Sequence, residues 1–394
     1  MGKSNDITAY RRKKKREGFL LRLLPAGIVA VGIALIIINA ETVFAPLEGI
    51  AKNFFERKPS GEAGFPVNLP GSAGYYFNGY DGGFMLLTDT YVYMYAENGA
   101  RNNALQHGYA NPRACVGDKR ILIYDRNGRQ FSLYGKNGRV YENGGDDRIV
   151  YAELGESNCA AVVFRGTVYA SVLEVYDGKG RWKYRRRFVH EHVMRVAFTG
   201  GDKELIVASI GFDSGDNTAC VRKFDTSSEN EDGIWKTVLP PNELPFAIYC
   251  GAENIFVLCD TAIFTLDAKS GAIKSDYVYD GTLTDYSFTD KNAALLVSDY
   301  SAGAKRLIVL DGNGGFLSLK DVGNNSAQVE IYDRAGSEMI YVLESDRIFE
   351  YDKALNLMSE YNFGDEYSKF IKAKENFYLL GYDTVEMRAL SENE

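Results

Sequence analysis

The sequence predicts an all-β fold, an eight-bladed β-propeller over residues 65–394, preceded by a single N-terminal transmembrane helix. Three observations support this prediction. A short segment that ends in a turn recurs eight times at a spacing near 42 residues. No stretch beyond residue 56 shows sustained helical periodicity. One apolar run near the N-terminus is long enough to cross a bilayer.

Residues 1–18 form a basic tail, and residues 19–39 form the predicted transmembrane helix. Residues 1–40 contain eight Lys or Arg against two acidic residues. At about 1.5 Å per residue, the apolar run is about 30 Å long, which matches a bilayer's hydrocarbon core. Because basic flanks stay in the cytoplasm, we expect a single-pass protein of the bacterial cell membrane with its N-terminus inside and its propeller outside. A cleaved signal peptide is the alternative, although its apolar stretch would be shorter.

Residues 40–64 are the predicted juxtamembrane linker. The segment PLEGIAKNFFERK places apolar residues at helical spacing on one face, which predicts a short amphipathic helix. The segment SGEAG that follows predicts a flexible joint before the propeller.

The repeat defines the blades. Eight segments such as EVYDGKGR align on their fourth residue, at positions 96, 135, 177, 225, 267, 311, 352 and 389. Four antiparallel strands fit this spacing, and such small sheets bury their faces by packing in a ring. The Gly, Asn and Asp residues of each segment predict a hairpin turn between the two outer strands. A calcium loop would need more acidic ligands, and a phosphate loop would lead into a helix.

The ends of the chain predict how the ring closes. The last unit ends after its third strand, and an open strand edge would invite aggregation. The segment FPVNL, residues 65–69, precedes the first full unit, so we expect it to supply the missing outer strand. Seven blades stay an alternative, because the first and last units match the repeat least well.

A basic strand follows the third turn. In RWKYRRRF, alternation places Arg181, Lys183 and Arg185 on one face, with Trp182, Tyr184 and Arg186 on the other. The strand is the one basic concentration on an otherwise acidic propeller, so it is a candidate surface for an anionic ligand. The residues proposed for that surface are Arg181, Lys183, Arg185, Arg186 and Arg187. A solvated edge strand whose charges prevent pairing is the alternative.

Charged residues also occur on the predicted inner strands. These candidate channel-lining residues are Arg113, Glu153, Arg195, Asp285 and Glu330, together with Lys369. Their signs are mixed and their positions are spread over many blades. This pattern is typical of a wet channel wall rather than of the paired carboxylates of a glycosidase.

Catalytic and metal-binding motifs are not evident in the sequence. There is no GxSxG elbow, and His190 and His192 have only His107 as a further histidine. The five cysteines show no close spacing. We therefore predict no catalytic residues, no cofactor and no metal. The acidic balance of the propeller also argues against nucleic acid as a partner.

The whole chain resembles an uncharacterised family of bacterial membrane proteins, mainly Gram-positive, that bears a domain of unknown function. The matching parts are the basic start and single span, FPVNL, EVYDGKGR, and the segment HGYANPRACVGDKRILIYDRNGRQFSLY at 107–134. The architecture is also similar to quinoprotein-type propellers and to an outer-membrane assembly lipoprotein. The chain departs from both, because it has no repeated tryptophan docking motif, no lipobox cysteine and no WD dipeptide.

These features predict a scaffold rather than an enzyme. Anchored in the lipid bilayer through residues 19–39, the propeller would bind an unknown envelope protein or a wall polymer, or sense the envelope. The alternative is a glycan-binding protein, or an enzyme with glycan or redox activity, that uses the central channel of the propeller.

Overall fold

The computed structural model describes residues 64–70, 76–213, 216–228, 232–299, 304–334 and 336–390. These belong to the second of two compact units of the chain, Gly61–Glu394. The predicted transmembrane helix at 19–39 and nearly all of the linker lie outside the described residues. Within the described part of the chain, no helix has the length and apolar character that a membrane span requires.

The described residues form 32 strands in eight antiparallel sheets of four strands each. The first four sheets, in chain order, contain the following strands. Blade 1 has β2 (Tyr76–Tyr80), β3 (Gly83–Leu87), β4 (Tyr91–Tyr95) and β5 (Arg101–Gln106); blade 2 has β6 (Pro112–Val116), β7 (Ile121–Asp125), β8 (Gln130–Gly135) and β9 (Gly138–Gly144); blade 3 has β10 (Arg148–Leu154), β11 (Ala160–Arg165), β12 (Ser171–Tyr176) and β13 (Trp182–Phe188); blade 4 has β14 (His192–Thr199), β15 (Glu204–Asp213), β16 (Asp216–Asp225) and β17 (Trp235–Val238).

The remaining four sheets follow the same order, except that the last takes one strand from the start of the chain. Blade 5 has β18 (Ala247–Cys250), β19 (Asn254–Leu258), β20 (Ala262–Asp267) and β21 (Ile273–Val278); blade 6 has β22 (Thr282–Phe288), β23 (Asn292–Ser298), β24 (Lys305–Asp311) and β25 (Phe316–Val322); blade 7 has β26 (Ser326–Arg334), β27 (Ser337–Glu344), β28 (Arg347–Tyr351) and β29 (Leu357–Asn362); blade 8 has β30 (Lys369–Ala373), β31 (Asn376–Leu380), β32 (Thr384–Ala389) and β1 (Val67–Asn68).

The ring closes with the predicted segment. Strand β1, which lies within FPVNL, pairs with β32, and Val67 lies opposite Val385. The backbone N–H of Leu69 also donates to the carbonyl of Asp383 at 2.8 Å. The eight-bladed propeller is therefore confirmed, and its last blade combines the two ends of the described chain.

The core consists of eight apolar clusters, one between each pair of consecutive blades. Between blades 3 and 4, for example, Val163 and Leu173 pack with Leu205 and Val207, and all four are fully buried. Middle strands are covered on both faces, which explains their continuous Val, Ile and Leu runs. First strands of neighbouring blades, such as β10 and β14, contact each other and so lie at the centre of the ring.

The repeated turn is a hairpin between the outer two strands, as predicted. In blade 3, Asp177 Oδ1 accepts backbone N–H groups of Lys179 at 2.9 Å and Arg181 at 3.0 Å. Gly180 completes the turn at φ +78°, a conformation that favours glycine. Although desolvation acts in the other direction, hydrogen bonds from Arg181 and the turn lower the pKa of Asp177 to about 2. The aspartate is thus a local turn cap rather than a metal ligand.

Each of several turns also binds the preceding blade, which the sequence did not reveal. Asn143 of blade 2 donates from Nδ2 to the carbonyl of Gly180 at 2.7 Å. Equivalent bonds join Thr237 to Gly271, Ser275 to Asn313, and Ser318 to Lys353. The repeated segment therefore shapes its own hairpin and fixes that hairpin to its neighbour around the ring.

Candidate functional site

A groove opens on the face of blade 3 that faces blade 2. Its volume is about 660 Å³, within the range of about 300–1,000 Å³ that is common for ligand sites. Strands β12 and β13 form the floor. The two walls are residues 144–147, which lead from blade 2 into β10, and residues 166–169, which join β11 to β12. We call this site the blade 3 groove.

A β-bulge decides which side chains of β13 enter the groove. Val175 lies opposite Tyr184 and Tyr176 lies opposite Trp182, so Lys183 is an extra residue in the register. Trp182 therefore shares a face with Arg185 and stands in the groove. The predicted assignment of Trp182 to the opposite face was wrong, because regular alternation cannot hold across a bulge.

The five basic residues predicted as one surface separate into three environments. Arg185 and Arg187 line the groove. Arg181 stays at the turn, where it pairs with Asp177 at 2.6 Å. Lys183 and Arg186 lie on the other side of the sheet. Nζ of Lys183 is 3.8 Å from the sulfur of Cys159, and the guanidinium of Arg186 lies over the ring of Phe224.

Arg185 is held from below by a buried carboxylate. Its Nε and Nη2 each lie 2.6 Å from Oε1 of Glu174, and Glu174 also accepts the hydroxyl of Tyr176. The guanidinium carbon of Arg185 is 5.9 Å from the centre of the Trp182 ring. The Trp182 side chain remains 56% exposed. An aromatic platform and a fixed cation are thus presented together at the mouth of the groove.

The second arginine of the groove lies over another ring. The guanidinium carbon of Arg187 is 5.5 Å from the centre of the Tyr169 ring. Among the described residues, Arg187 has no acidic ion-pair partner, and Asp146 and Asp147 on the facing wall have no basic one. The groove therefore presents an uncompensated cation and two uncompensated anions.

The predicted channel residues all lie on the first strands of their blades, and several of them bond to a neighbouring blade. Arg113 lies over the ring of Tyr76 in blade 1. Arg195 lies over Tyr151 of blade 3 and donates to the carbonyl of Phe246, just before blade 5.

The carboxylates divide into two groups. Glu153 accepts the hydroxyl of Tyr151 within blade 3. Asp285 accepts the N–H of Val329 at 2.8 Å, and Glu330 accepts the hydroxyl of Ser287 at 3.1 Å, so both of these join blades 6 and 7.

The channel carboxylates have perturbed acidities. Burial raises the pKa of Glu153 and of Asp285 above their usual values. Burial also raises the pKa of Glu330 to about 7, although Gln328 and Ser287 donate hydrogen bonds to it. Lys369 adds a positive charge nearby, which only partly opposes the shift. Asp285 and Glu330 join the inner strands of blades 6 and 7, and the protonation of all three carboxylates depends on how far each is buried.

His107 and the five cysteines lie in surroundings that serve the fold rather than a site. His107 is buried, its Nδ1 accepts the N–H of Tyr109 at 3.1 Å, and burial lowers its pKa. The five cysteines are free, and Cys250 lies opposite Ile255 in the pairing of β18 with β19. In the portions that the structure describes, no group of three or more His, Cys, Asp or Glu side chains is arranged to hold a metal ion.

Sequence reasoning missed half of the groove. Asp146, Asp147 and Tyr169 belong to connecting segments, and the residues of 144–147 reach β13 only because blade 2 packs against blade 3. One signal was present in the sequence. The run GGDD stands directly before β10, so two adjacent acids follow two glycines at a blade junction.

A family model for a family of unknown function, DUF5711, matches residues 71–388 of the chain. The chain belongs to this family. The match agrees with the expected membership of an uncharacterised family and assigns no activity. No curated protein matches the chain significantly.

Solved structures share the propeller fold. BamB from Moraxella catarrhalis matches with a TM-score of 0.55 and 10% identity, over 82% of this chain and 98% of BamB. Sqt1 from Saccharomyces cerevisiae matches with a TM-score of 0.59 and 10% identity, over 82% of this chain and 99% of the Sqt1 chain. The C-terminal WD40 domain of Sif2 matches with a TM-score of 0.56 and 12% identity, over 83% of this chain and 100% of that domain's chain. At these identities the likeness establishes the fold alone, and a fold of this kind serves many functions.

Proposed function

We propose that the protein is an interaction propeller that residues 19–39 anchor in a bacterial cell membrane, with the propeller outside the cell. In this proposal the blade 3 groove binds a protein of the cell envelope, and the protein performs no catalysis. The anchor and its orientation rest on the apolar and basic pattern of residues 1–39. The propeller likeness to BamB and to WD40 domains is consistent with a binding role.

One observation supports the groove above all others. Trp182 is large, apolar and exposed, yet it stands on a rigid sheet beside Arg185, which Glu174 holds in place. Tryptophan, tyrosine and arginine are the residues that most often dominate binding energy at protein interfaces. Arg185 and Arg187 both lie over aromatic rings, so the groove concentrates these three residue types.

The test is site-specific photocrosslinking in intact cells. A photoreactive residue at position 182 is expected to give a discrete crosslinked protein. The same residue at Phe316, which is 53% exposed on the outer strand of blade 6, serves as the matched control. Equal products at both positions, or none at position 182, would contradict the proposal. A reporter fused after Glu394 checks the orientation, and it is expected to be active only outside the cytoplasm.

A second candidate is an enzyme that acts on a glycan or a redox substrate in the central channel. The observation in its favour is Glu330, whose pKa of about 7 and proximity to Asp285 suit proton transfer. Against it, Asp285 and Glu330 already bond to neighbouring blades, and Glu153 bonds within blade 3. This candidate would be established instead if the protein turned over a glycan or redox substrate and the Glu330→Gln variant did not.

A further inference from the structure

We infer that the ligand of the blade 3 groove is a dipolar peptide segment, one that carries an acidic and a basic side chain on either side of an apolar residue. This inference rests on the proposed function, because it names the chemistry of the partner at the same site. It departs from the expectation of a purely anionic ligand, which considered the arginines of β13 alone.

The cationic side of the groove selects an acidic group. Glu174 neutralises Arg185 with two contacts of 2.6 Å, so that charge is already compensated. Arg187 lies over Tyr169 and has no acidic partner among the described residues. Arginine binds carboxylate and phosphate groups in planar, bidentate geometry, and a carboxylate is the form that a peptide side chain supplies. Arg187 is therefore the position that would receive the acidic side chain of the ligand.

The opposite wall selects a basic group. Asp146 and Asp147 stand together on the segment from blade 2 and lack a basic partner in the described parts of the chain. Adjacent carboxylates at the edge of one groove repel an anionic chain and attract an ammonium or guanidinium. A ligand that carried negative charge throughout would meet this wall unfavourably.

Aromatic side chains also line the groove. Trp182 and Tyr169 supply aromatic surface. Gly145 lies against the ring of Phe164, so closely that a Cβ atom there would stand 2.6 Å from the ring. The absence of a side chain at Gly145 thus makes room for the Phe164 ring on this wall. An apolar side chain of the ligand would contact the rings of Trp182, Tyr169 and Phe164.

A protein segment provides this combination most directly. Side chains of opposite charge flanking an apolar residue occur within a few residues of polypeptide, whereas a linear polyphosphate carries negative charge alone. The mixed groove therefore favours a protein partner, and an anionic polymer becomes an outcome of the experiment rather than a second proposal.

The experiment measures peptide binding to the full chain in detergent by tryptophan fluorescence. The chain has two tryptophans, and Trp182 is 56% exposed in the groove while Trp235 is 9% exposed. The probes are short capped Gly-Ser peptides with a central Glu-Leu-Lys, with Glu-Leu-Glu, or with Lys-Leu-Lys, and linear polyphosphate. The Trp182→Phe variant shows which part of the signal comes from the groove.

We expect the Glu-Leu-Lys peptide to bind about tenfold more tightly than either peptide whose two charges have the same sign, since a charge-assisted hydrogen bond is worth roughly that factor. Arg187→Ala and the double variant Asp146→Asn with Asp147→Asn are each expected to weaken it by about the same factor. Arg101→Ala on the outer strand of blade 1 is the control and should leave binding unchanged.

Two results would overturn the inference. Tightest binding by polyphosphate or Glu-Leu-Glu, strengthened when Asp146 and Asp147 are neutralised, would identify an anionic ligand. Equal binding of all peptides would remove the role of charge. The crosslink at position 182 separates the two levels: a specific protein crosslink without preference for the dipolar peptide refutes this inference alone, whereas the absence of both refutes the proposed function as well.

Discussion

Two buried glutamates, Glu350 in blade 7 and Glu174 in blade 3, show how the same residue serves different purposes in one ring. Glu350 is fully buried and accepts hydrogen bonds from Tyr341 at 2.9 Å, Tyr361 at 2.7 Å and Arg334 at 2.7 Å. Burial alone would raise the pKa of Glu350, but these donors outweigh it and lower the pKa below its usual value. Its cluster is closed on the side of the core by the two tyrosines, and Arg334 reaches solvent with its side chain 38% exposed.

Glu174 has a smaller set of donors and lies on the floor of a groove. It accepts from Tyr176 and Arg185, and the Arg185 side chain remains 43% exposed. A carboxylate that accepts two buried tyrosine hydroxyls therefore stabilises the core, whereas one that holds an arginine beside an exposed tryptophan orients that arginine for a partner. Substitution of each glutamate tests this distinction.

The largest effect is expected from Glu350→Ala. The substitution leaves the hydroxyls of Tyr341 and Tyr361 without an acceptor in the core, and each such loss costs about 1–3 kcal/mol. Arg334 is partly exposed and returns to water. We expect the free energy of unfolding to fall by about 3 kcal/mol or more, measured by urea denaturation.

Glu360→Ala is the matched control for that experiment. Glu360 pairs with Arg347 at 2.9 Å, and both side chains are about two-fifths exposed. Pairs of this kind contribute about 0–1 kcal/mol. If both variants lost the same stability, the closed cluster around Glu350 would have no special role.

A pH-dependent effect is expected from Glu330, a partly buried carboxylate whose hydrogen-bond donors are both uncharged. Its donors are Ser287 and Gln328, while Asp285, Lys369 and Tyr332 are the titratable groups around it. Its pKa of about 7 exceeds the ordinary 4.5. The folded state therefore binds the proton more tightly, and the stability it contributes is present below about pH 4.5 and lost as pH rises through about 7.

Glu330→Gln removes this titration and keeps the shape of the side chain. We expect the stability of the wild-type protein, relative to this variant, to fall by roughly 1–3 kcal/mol between pH 5 and pH 8. Thermal unfolding at several pH values measures the difference. A constant difference across that range would show that Glu330 is ionised throughout, as Glu350 is.

The eight-bladed ring could be predicted from the sequence because the patterns that indicate it are local. The spacing of the turns predicted eight blades, and the missing strand of the last unit indicated that FPVNL closes them. Asp177 and Gly180 predicted a hairpin because their turn chemistry depends on neighbours within a few residues. The transmembrane helix at 19–39 and the outward orientation stay predictions.

The groove could be predicted only in part. Alternation located Arg185 correctly, but the single extra residue Lys183 moved Trp182 to the other face, and a bulge leaves little trace in composition. Asp146 and Asp147 come from the preceding blade, so their position depends on how two sheets pack. Contacts between blades are long-range in sequence, and a single chain gives no pattern from which to read them.

The smallest effect on stability, and the most decisive for the comparison, is expected from Glu174→Ala. The variant removes the acceptor of Tyr176, which is buried, and releases Arg185, which is already open to water. We expect the free energy of unfolding to fall by about 1 kcal/mol in urea denaturation, well below the loss for Glu350→Ala. Crosslinking from position 182 should nevertheless fall severalfold, because Arg185 no longer has a fixed orientation beside Trp182. A loss of stability as large as that of Glu350→Ala, with crosslinking unchanged, would mean that Glu174 is a structural residue like Glu350 and that the groove depends on Arg187 alone.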